Sequence, residues 1–296
     1  MRRMYEYHIG NTPLIRMPDL HGSRIYIKAE GENYLGSIKA RTGYYIISSL
    51  PKEIENKVII ESTSGNLGLA LGFFCRETNR EFTALIDPTT AYSKVQRLKE
   101  ANIDYIIVEA EKGQDYRSSR IRMAERMMQS GNYYWVNQYH NSAGVKAHED
   151  TTAPEIWQQT NHLVTHVVCA MGSCGTICGI GNYFHKCGGN VMVIGVEPYG
   201  STIFGAANCD YINVGAGLIG KPGNLMDNPD SVDAAYVVHD RDSVRAARRL
   251  WHEYGFNAGI TTGMAYTVAQ QIAQKESGSY IVVVSADGRE AYSEYL

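Results

Sequence analysis

The most constraining feature of this sequence is a repeated alternation of short apolar runs with longer amphipathic stretches. Eight runs rich in β-branched and aromatic residues have the length and composition of buried strands, and they span residues 24–29, 57–61, 82–87, 105–108, 133–136, 166–170, 191–196 and 280–285. Apolar side chains at helical spacing predict helices over residues 65–78, 93–101, 114–130, 241–254 and 263–274. Strands that alternate with helices predict an α/β fold of open parallel sheets with helices on both faces.

The length of the chain predicts two closely packed domains. A chain of 296 residues corresponds to about two domains of roughly 150 residues each. No linker-like segment separates them, so the two domains are expected to be interleaved. Residues 208–233 are rich in Gly, Asn, Asp and Pro without a clear period, which predicts an irregular loop. Long ordered loops in compact enzymes are often functional.

Composition and charge argue against several classes of protein. The net charge is −3 and the basic residues are scattered, so nucleic acid is a poor candidate partner. The longest apolar runs, such as residues 281–284, are far shorter than the roughly 18 residues of a membrane span. No apolar segment follows the basic residues at the start, which predicts a cytoplasmic protein without a signal peptide. The cysteines form no Cys-x-x-Cys pair; Cys174 and Cys178 lie one helical turn apart, but no third ligand is nearby, so no metal site is expected.

The segment 61–68 follows a predicted strand and opens a predicted helix. It carries the hydroxyls of Ser62, Thr63 and Ser64, followed by Gly65 and Asn66. Hydroxyls, a flexible glycine and free helix N-terminal amides are suited to binding a carboxylate. A plain helix N-cap also uses Ser or Thr, but three consecutive hydroxyls exceed what a cap requires.

Two further features carry candidate chemistry. The segment 172–176 follows a strand, and its glycines and the Thr176 hydroxyl suit a phosphate group, although it lacks the spacing of the known mononucleotide and dinucleotide loops. Lys39 lies at an apolar helix start. Such a lysine is either a surface residue that extends to solvent or a desolvated amine able to form a Schiff base. A Schiff-base lysine, a phosphate loop and a carboxylate loop together are what a pyridoxal-phosphate (PLP) enzyme acting on an amino acid requires.

Further sequence motifs are found in order along nearly the whole chain. They span residues 10–14, 33–41, 63–66, 138–139, 151–156, 172–176, 215–217 and 258–263. Through these motifs the chain resembles the cysteine synthase and cystathionine β-synthase family, the fold-type-II PLP enzymes with the tryptophan synthase β-like fold. The resemblance implies PLP as the cofactor. It also implies a homodimer with two interleaved domains, a smaller mobile domain at residues 42–141 and a larger one at residues 1–41 plus 142–296.

The resemblance also assigns roles to individual residues. Lys39 is expected to hold PLP as a Schiff base and then to remove the substrate α-proton. The expected contacts to the rest of the cofactor are Asn66 to the ring hydroxyl, Thr261 to the pyridine nitrogen, and Gly172, Ser173, Cys174, Gly175 and Thr176 to the phosphate. The expected ligands of the substrate α-carboxylate are Thr63, Ser64, Gly65 and Gln138.

The implied reaction is β-elimination or β-replacement on a serine-derived amino acid through an aminoacrylate. A neutral hydroxyl such as that of Thr261 cannot keep the ring nitrogen protonated as an Asp would, which favours loss of a β-leaving group over transamination. The default reaction is that of a cysteine synthase, in which O-acetylserine or O-phosphoserine and sulfide give L-cysteine.

Departures from the family pattern leave the substrates open. Leu67 stands where cysteine synthases usually have Thr, Ser173-Cys174 replaces a common Thr-Gly, and residues 285–289 differ at the wall near the ring nitrogen. The Cys is expected to be tolerated if its side chain points into the helix packing. The segments 61–68, 134–139 and 200–205 resemble the siderophore-pathway enzyme that joins O-phosphoserine to glutamate.

Several alternatives therefore remain. One is an amine nucleophile that gives a diaminopropionate-type product, and another is a cysteine lyase that releases sulfide. Asp227 or Asp230 could supply a base for such a nucleophile, although a solvated loop carboxylate is the simpler interpretation. A relative without catalytic activity that binds a metabolite or a protein is disfavoured by Lys39. A serine or threonine dehydratase is disfavoured by the end-to-end resemblance to the synthases.

Overall fold

The computed structural model describes residues 1–63, 65–90, 92–113, 115–205, 207–213 and 215–296. Within these residues the chain forms ten strands: β1 (Leu14–Arg16), β2 (Arg24–Ala29), β3 (Val58–Ser62), β4 (Phe82–Ile86), β5 (Asp104–Ile107), β6 (Tyr133–Trp135), β7 (His166–Ala170), β8 (Met192–Pro198), β9 (Ala234–Val238) and β10 (Tyr280–Ser285). The same residues form the helices α1 (Lys39–Ser48), α2 (Asn66–Glu77), α3 (Tyr92–Glu100), α4 (Tyr116–Gln129), α5 (Ser142–Ala147), α6 (Ala153–Gln159), α7 (Gly175–Lys186), α8 (Gly223–Met226), α9 (Asp240–Tyr254) and α10 (Ile260–Lys275).

The strands form two sheets. A six-stranded sheet has the order β1-β2-β10-β7-β8-β9, and a four-stranded sheet has the order β5-β4-β3-β6. All neighbouring strands are parallel except β1, which runs antiparallel to β2. The predicted α/β fold with two parallel-sheet units is thereby confirmed, with one antiparallel edge strand added.

Helices cover both faces of each sheet. On the larger sheet, alternate residues of β10 point to opposite faces, Val283 toward α9 and α10, and Val282 toward α7. On the smaller sheet, Ile59 packs with α1 and α2, and Ile60 packs with α4. Strands buried on both faces read as continuous apolar runs, which is why the sequence pattern identified them.

Two parts of the sequence pattern are corrected or refined by the structure. The strands β1 and β9 lie at the edges of the larger sheet and are partly exposed, and neither was predicted; β1 has only three residues, whereas β9 is a run of five apolar residues. The helix predicted over residues 263–274 begins earlier, at Ile260, which places Thr261 inside its first turn. Residues 208–233 are largely irregular as predicted, with only α8 and a single 3₁₀ turn in the described part. No helix in the described ranges is both long and apolar enough to cross a membrane.

A buried ion cluster fixes the start of α1. The Arg41 guanidinium contacts Glu30 (Nε–Oε2, 2.7 Å) and Glu155 (Nη1–Oε1, 2.6 Å), and its side chain is 0% exposed. Lys28 Nζ lies 2.6 Å from the second oxygen of Glu155. The cluster ties α1 to β2 and α6 of the larger unit, and it therefore determines the position of Lys39, two residues before Arg41.

Candidate active site

The three candidate segments converge on one cavity of about 240 Å³. The segments that follow β3 and β7 meet there with the start of α1 and with the chain beyond β10. The carboxyl ends of parallel strands are where ligands bind in open α/β sheets. Of the predicted site residues, those that line the cavity are Lys39, Thr63, Gly65, Asn66, Gln138, Gly172, Ser173 and Thr261. Ser64, also predicted to bind substrate, lies outside the described residues.

Lys39 is the first residue of α1 and contributes its amine to this cavity. Burial lowers the pKa of the Lys39 amine, and the nearby carboxyls of Asp287 and Glu61 act in the opposite direction. A lysine with a lowered pKa has a larger fraction of neutral, nucleophilic amine at neutral pH. The structure therefore supports the desolvated interpretation of Lys39 over the surface one.

Glu61 is a buried carboxyl beside Lys39 to which the sequence reasoning gave no role. Its Oε2 accepts a hydrogen bond from the backbone amide of Gln138 (3.0 Å), and its Oε1 accepts one from Trp135 Nε1 (3.4 Å). Burial raises the pKa of Glu61 to about 7. The signal in the sequence is an acidic residue that directly follows the apolar run of β3. Glu61 thus holds the backbone of Gln138 against the cavity.

Replacing Glu61 by Gln is expected to stabilise the protein at about pH 8 and to leave it nearly unchanged at about pH 4. Because the folded-state pKa of Glu61 is above its ordinary value, the folded state binds more protons, and this contribution to stability is lost as the pH rises through about 7. The amide oxygen introduced by Glu61→Gln can still accept from Gln138. Thermal unfolding midpoints of both proteins across this pH range measure the effect. An equal difference in midpoint at every pH would contradict the assignment.

The segment 172–176 leads into α7, and of its residues Gly172 and Ser173 line the cavity while Cys174, Gly175 and Thr176 are not among the lining residues. Among the described residues, no group accepts a hydrogen bond from the amides of residues 173–176. Cys174 has a left-handed backbone (φ 61°), and its Sγ lies 3.6 Å from the carbonyl oxygen of Gly172, inside an apolar cluster. The Cys174 side chain thus points into the packing, and the free amides are left for an anion.

The side chain of Thr176 contacts a buried histidine, His148. Its Oγ1 lies 3.2 Å from His148 Nε2, and Thr42 Oγ1 lies at the same distance from that nitrogen. Burial, together with the charges of Arg41 and Lys39, keeps the pKa of His148 well below its usual value. His148 is therefore a neutral link between α1 and the first turn of α7.

The wall of the cavity also contains a buried carboxyl, that of Asp287. Asp287 Oδ2 accepts a hydrogen bond from Asn66 Nδ2 (2.9 Å), and Asp287 Oδ1 lies 3.5 Å from Thr261 Oγ1. Burial raises the pKa of Asp287 to about 6. The sequence marked residues 285–289 as a departure from the family pattern, and the structure identifies the departure as a carboxyl within reach of Thr261.

The cavity has the donors and acceptors that PLP would use. Ser62 Oγ and Tyr292 Oη are buried in its wall without a hydrogen-bond partner among the described residues. Buried polar groups are normally paired, so such atoms in a cavity wall indicate a polar ligand. The free amides suit a phosphate, the Lys39 amine suits an aldehyde, and Thr261 and Asn66 can bond polar ring atoms. The residues present therefore fit the cofactor.

Three basic side chains that sequence reasoning missed also line the cavity. Lys94 and Arg97 come from α3, and Arg120 comes from α4. Arg97 Nη1 donates to Asn66 Oδ1 (3.3 Å), and Arg120 pairs with Asp87. In the described part of the chain no carboxylate lies within 4.0 Å of the Lys94 or Arg97 side-chain nitrogens. The spacing of Lys94 and Arg97, which puts both on one helix face, was the available signal.

The other residues discussed from the sequence offer no polar group to the cavity, although Leu67 lines it. Asp227 Oδ2 lies 2.7 Å from His140 Nε2, and both side chains are 60% exposed. Neither Asp227 nor Asp230 lines the cavity, which supports the solvated-loop interpretation. Leu67 is buried in the apolar cluster of the smaller sheet, so the hydroxyl missing at this position is replaced by packing.

Comparisons with known proteins show the family to which the chain belongs. The model of the family described as pyridoxal-phosphate dependent enzymes matches residues 5–287. Cysteine synthase B of Escherichia coli (strain K12) is 31% identical over 298 residues, covering 97% of this chain and 93% of that protein. Cysteine synthase 1 of Emericella nidulans is 29% identical over 313 residues, covering 97% and 82%.

Solved structures of enzymes from other organisms have a similar fold. A hydrogen sulfide-producing enzyme from Fusobacterium nucleatum superposes with a TM-score of 0.89 at 27% identity, covering 99% of this chain and 98% of that one. A cysteine synthase from Entamoeba histolytica also gives a TM-score of 0.89 at 27% identity, covering 99% and 89%.

The two sheets and the lysine-containing cavity between their strand ends define a fold-type-II PLP enzyme. More specifically, the chain belongs to the PLP-dependent cysteine synthase and cystathionine β-synthase family. The fold, the family, the enzyme class and the cofactor predicted from the sequence are thereby confirmed.

Proposed function

We propose that this enzyme replaces the β-substituent of a serine-derived amino acid, with O-phosphoserine as the donor and sulfide as the default nucleophile. The observation that carries the proposal is the convergence on one cavity of the Lys39 amine, a hydroxyl-rich helix start and a loop whose backbone amides have no acceptor among the described residues. These are the groups that an amino-acid substrate and a phosphorylated cofactor need. The cysteine synthase relatives support the β-replacement class.

In this proposal each group of residues binds a different part of the cofactor or the substrate. Lys39 binds the cofactor and then accepts the substrate α-proton at Nζ, which its lowered pKa permits. The start of α2 holds the α-carboxylate through Thr63, Ser64 and Gly65, together with Gln138. The amides of residues 172–176 hold the cofactor phosphate. When bound, PLP supplies an electron sink for the charge that develops at the α-carbon.

The basic side chains of α3 and α4 favour a phosphate over an acetyl leaving group. The cofactor phosphate is expected at the segment after β7 in the larger sheet, whereas Lys94, Arg97 and Arg120 come from helices of the smaller sheet. Burial lowers the pKa of Lys94, so its charged form is costly without an anion nearby. A dianionic β-substituent on the substrate would supply that anion, and an acetyl ester would not.

Replacing Lys94 by Met is expected to raise the KM for O-phosphoserine about tenfold to hundredfold, with little change for O-acetylserine. The reason is that one hydrogen bond to a charged group contributes about 1.5–3 kcal/mol. Met keeps much of the length of the apolar stem. Initial rates with each donor and sulfide provide the measurement. An equal rise in KM for both donors would show that Lys94 supports the fold of the site and does not bind the leaving group.

The reaction itself is tested with the purified holoenzyme and each donor in turn, with and without sulfide. The proposal predicts release of inorganic phosphate from O-phosphoserine and formation of cysteine when sulfide is present. Cysteine formed only from O-acetylserine would overturn the donor assignment. Product formed only with an amino-acid nucleophile, or sulfide released from cysteine, would instead identify one of the alternative second half-reactions.

We further propose that residues 42–141 move as a smaller domain, since they contain the whole four-stranded sheet and the start of α2. Closure of this unit over the substrate would exclude water from the reacting atoms. Family membership supports a cytoplasmic homodimer, and light scattering of the purified enzyme tests the dimer.

A further inference from the structure

We propose that Asn224 is a positioning residue that joins the segment binding the substrate carboxylate to the segment binding the cofactor phosphate. The inference rests on the proposed function, because it takes Gln138 as a carboxylate ligand and residues 172–176 as the phosphate loop. Asn224 belongs to α8, within the largely irregular region 208–233. It is not among the residues that line the cavity, so it acts only through residues that do.

The side chain of Asn224 lies between these two segments. Its Nδ2 donates one hydrogen bond to the carbonyl oxygen of Gln138 (2.8 Å) and another to the carbonyl oxygen of Ser173 (2.8 Å). Its Oδ1 accepts a hydrogen bond from the backbone amide of Asn141 (2.8 Å). The residue is 2% exposed, so these polar groups depend on protein partners.

The orientation of the Asn224 amide follows from its partners. A carbonyl oxygen can only accept a hydrogen bond, and a backbone amide can only donate one. The NH₂ group must therefore face Gln138 and Ser173, and the oxygen must face Asn141. Both protons of the NH₂ group are used, one for each segment. An aspartate would have the same shape, but it has no proton to donate when it is ionised.

On the carboxylate side, the backbone of Gln138 is held at both of its polar groups. Its amide donates to Glu61 Oε2 (3.0 Å), and its carbonyl oxygen accepts from Asn224. The backbone amide of Asn224 also donates to the carbonyl oxygen of Tyr139 (2.8 Å). These bonds fix the backbone from which the Gln138 side chain extends to the cavity.

On the phosphate side, the bond to Ser173 sets the direction of the following peptide. In a trans peptide the carbonyl group and the next amide point in opposite directions, and the described residues contain no cis peptide. The Ser173 carbonyl is directed at Asn224, so the amide of Cys174 is directed to the opposite side. No acceptor for that amide is found among the described residues. The bond from Asn224 thus leaves the Cys174 amide available to an anion.

Close packing fixes the position of Asn224 itself. A Cβ on Gly223 would meet His140 Cγ at 2.6 Å, so glycine is needed for α8 to approach this closely. The carbonyl oxygen of Asn224 accepts from Asn228 Nδ2 (2.7 Å), and Asn228 Oδ1 accepts from Asn182 Nδ2 of α7 (2.7 Å). Asn224 is therefore anchored to α7 independently of the two segments that it joins.

Two variants remove the link between the segments. Asn224→Asp keeps the shape of the side chain and the bond accepted from Asn141, but its second oxygen faces two carbonyl oxygens and repels them. Asn224→Ala removes the two donated bonds without adding a charge. It provides a second test in case the aspartate disturbs the fold.

The test compares PLP with pyridoxal, which lacks the phosphate, in enzyme loaded with each of them. In both variants we expect the dissociation constant of PLP to rise at least about tenfold, and that of pyridoxal to change less than about twofold. At saturating PLP, we expect the KM for O-phosphoserine to rise at least about tenfold, with kcat within about threefold of the wild type. Equal losses of affinity for PLP and pyridoxal would overturn the proposal, because Asn224 would then support the whole site. A change in only one of the two constants, for PLP or for O-phosphoserine, would also overturn it.

Asn182→Asp is the matched control, because it also replaces a partly buried amide that donates a hydrogen bond. Asn182 donates to Asn228 and to neither segment, so all three constants are expected to stay unchanged. Equal rises in this variant would overturn the proposal. If no donor reacts with the wild-type enzyme, the proposed function fails. The comparison of PLP with pyridoxal uses no substrate, so it still decides whether Asn224 positions the phosphate loop.

Discussion

Replacing Lys39 by Ala is expected to lower kcat by at least about 10³-fold while leaving the fold intact, because this residue both binds the cofactor and moves the substrate α-proton. The side chain lies in the cavity, and burial disfavours its charged form. Removing it therefore deletes the nucleophile without breaking an ion pair among the residues that the structure describes. Steady-state kinetics with O-phosphoserine, together with thermal unfolding, measure the two parts of this prediction.

Lys39→Arg provides the control for charge. It keeps a cation at the start of α1 but offers no amine that can become neutral and nucleophilic at neutral pH. It is expected to be as inactive as Lys39→Ala. Activity within tenfold of the wild type in either variant would remove the basis for the proposed mechanism.

Replacing Arg41 by Ala is expected to lower the free energy of unfolding by about 3–5 kcal/mol, the cost of breaking a buried ion pair by removing one partner. The guanidinium lies between the carboxylates of Glu30 and Glu155, and Glu30 is itself fully buried. Without Arg41, Glu30 loses its only ion-pair partner among the described residues, and Glu155 keeps only Lys28. Urea denaturation monitored by fluorescence and circular dichroism measures the loss.

Arg245→Ala is the comparison for this effect. Arg245 also forms an ion pair, with Asp242 at 2.8 Å, but its side chain is 74% exposed. Solvent-exposed pairs contribute little to stability, so the free energy of unfolding is expected to stay nearly unchanged. Similar losses in the two variants would contradict the assignment of a structural role to the buried cluster.

The fold could be predicted because most of its strands are buried on both faces. The run at β10 is continuous in Val and Ile, β7 combines Val with Cys and Ala, and amphipathic helices lie between the strands. The edge strand β1 was missed because it has only three residues, and β9 was missed although its five residues are all apolar. The antiparallel direction of β1 also has no signal in local sequence, because it depends on pairing with β2.

Less of the site could be predicted from the sequence. The loops around Thr63 and Gly172 carry local chemistry, and both line the cavity as the motifs indicated. The contact between Thr261 and Asp287 joins residues from α10 and from the chain after β10, so no local pattern reveals it. The basic side chains of α3 resemble an ordinary solvated helix face until the fold brings them to the cavity. The resemblance predicts which residues bind the cofactor, and the tertiary contacts were needed to describe the electrostatics of the cavity.

The most direct test of the central claim is to reduce the holoenzyme with borohydride, digest it and locate the cofactor by mass spectrometry. The account predicts that the mass of reduced PLP is carried by one peptide and by Lys39 within it. The Lys39→Ala protein should carry none after the same treatment. Attachment of the cofactor at another lysine, such as Lys94, or no attachment in protein that retains its fold, would contradict the account.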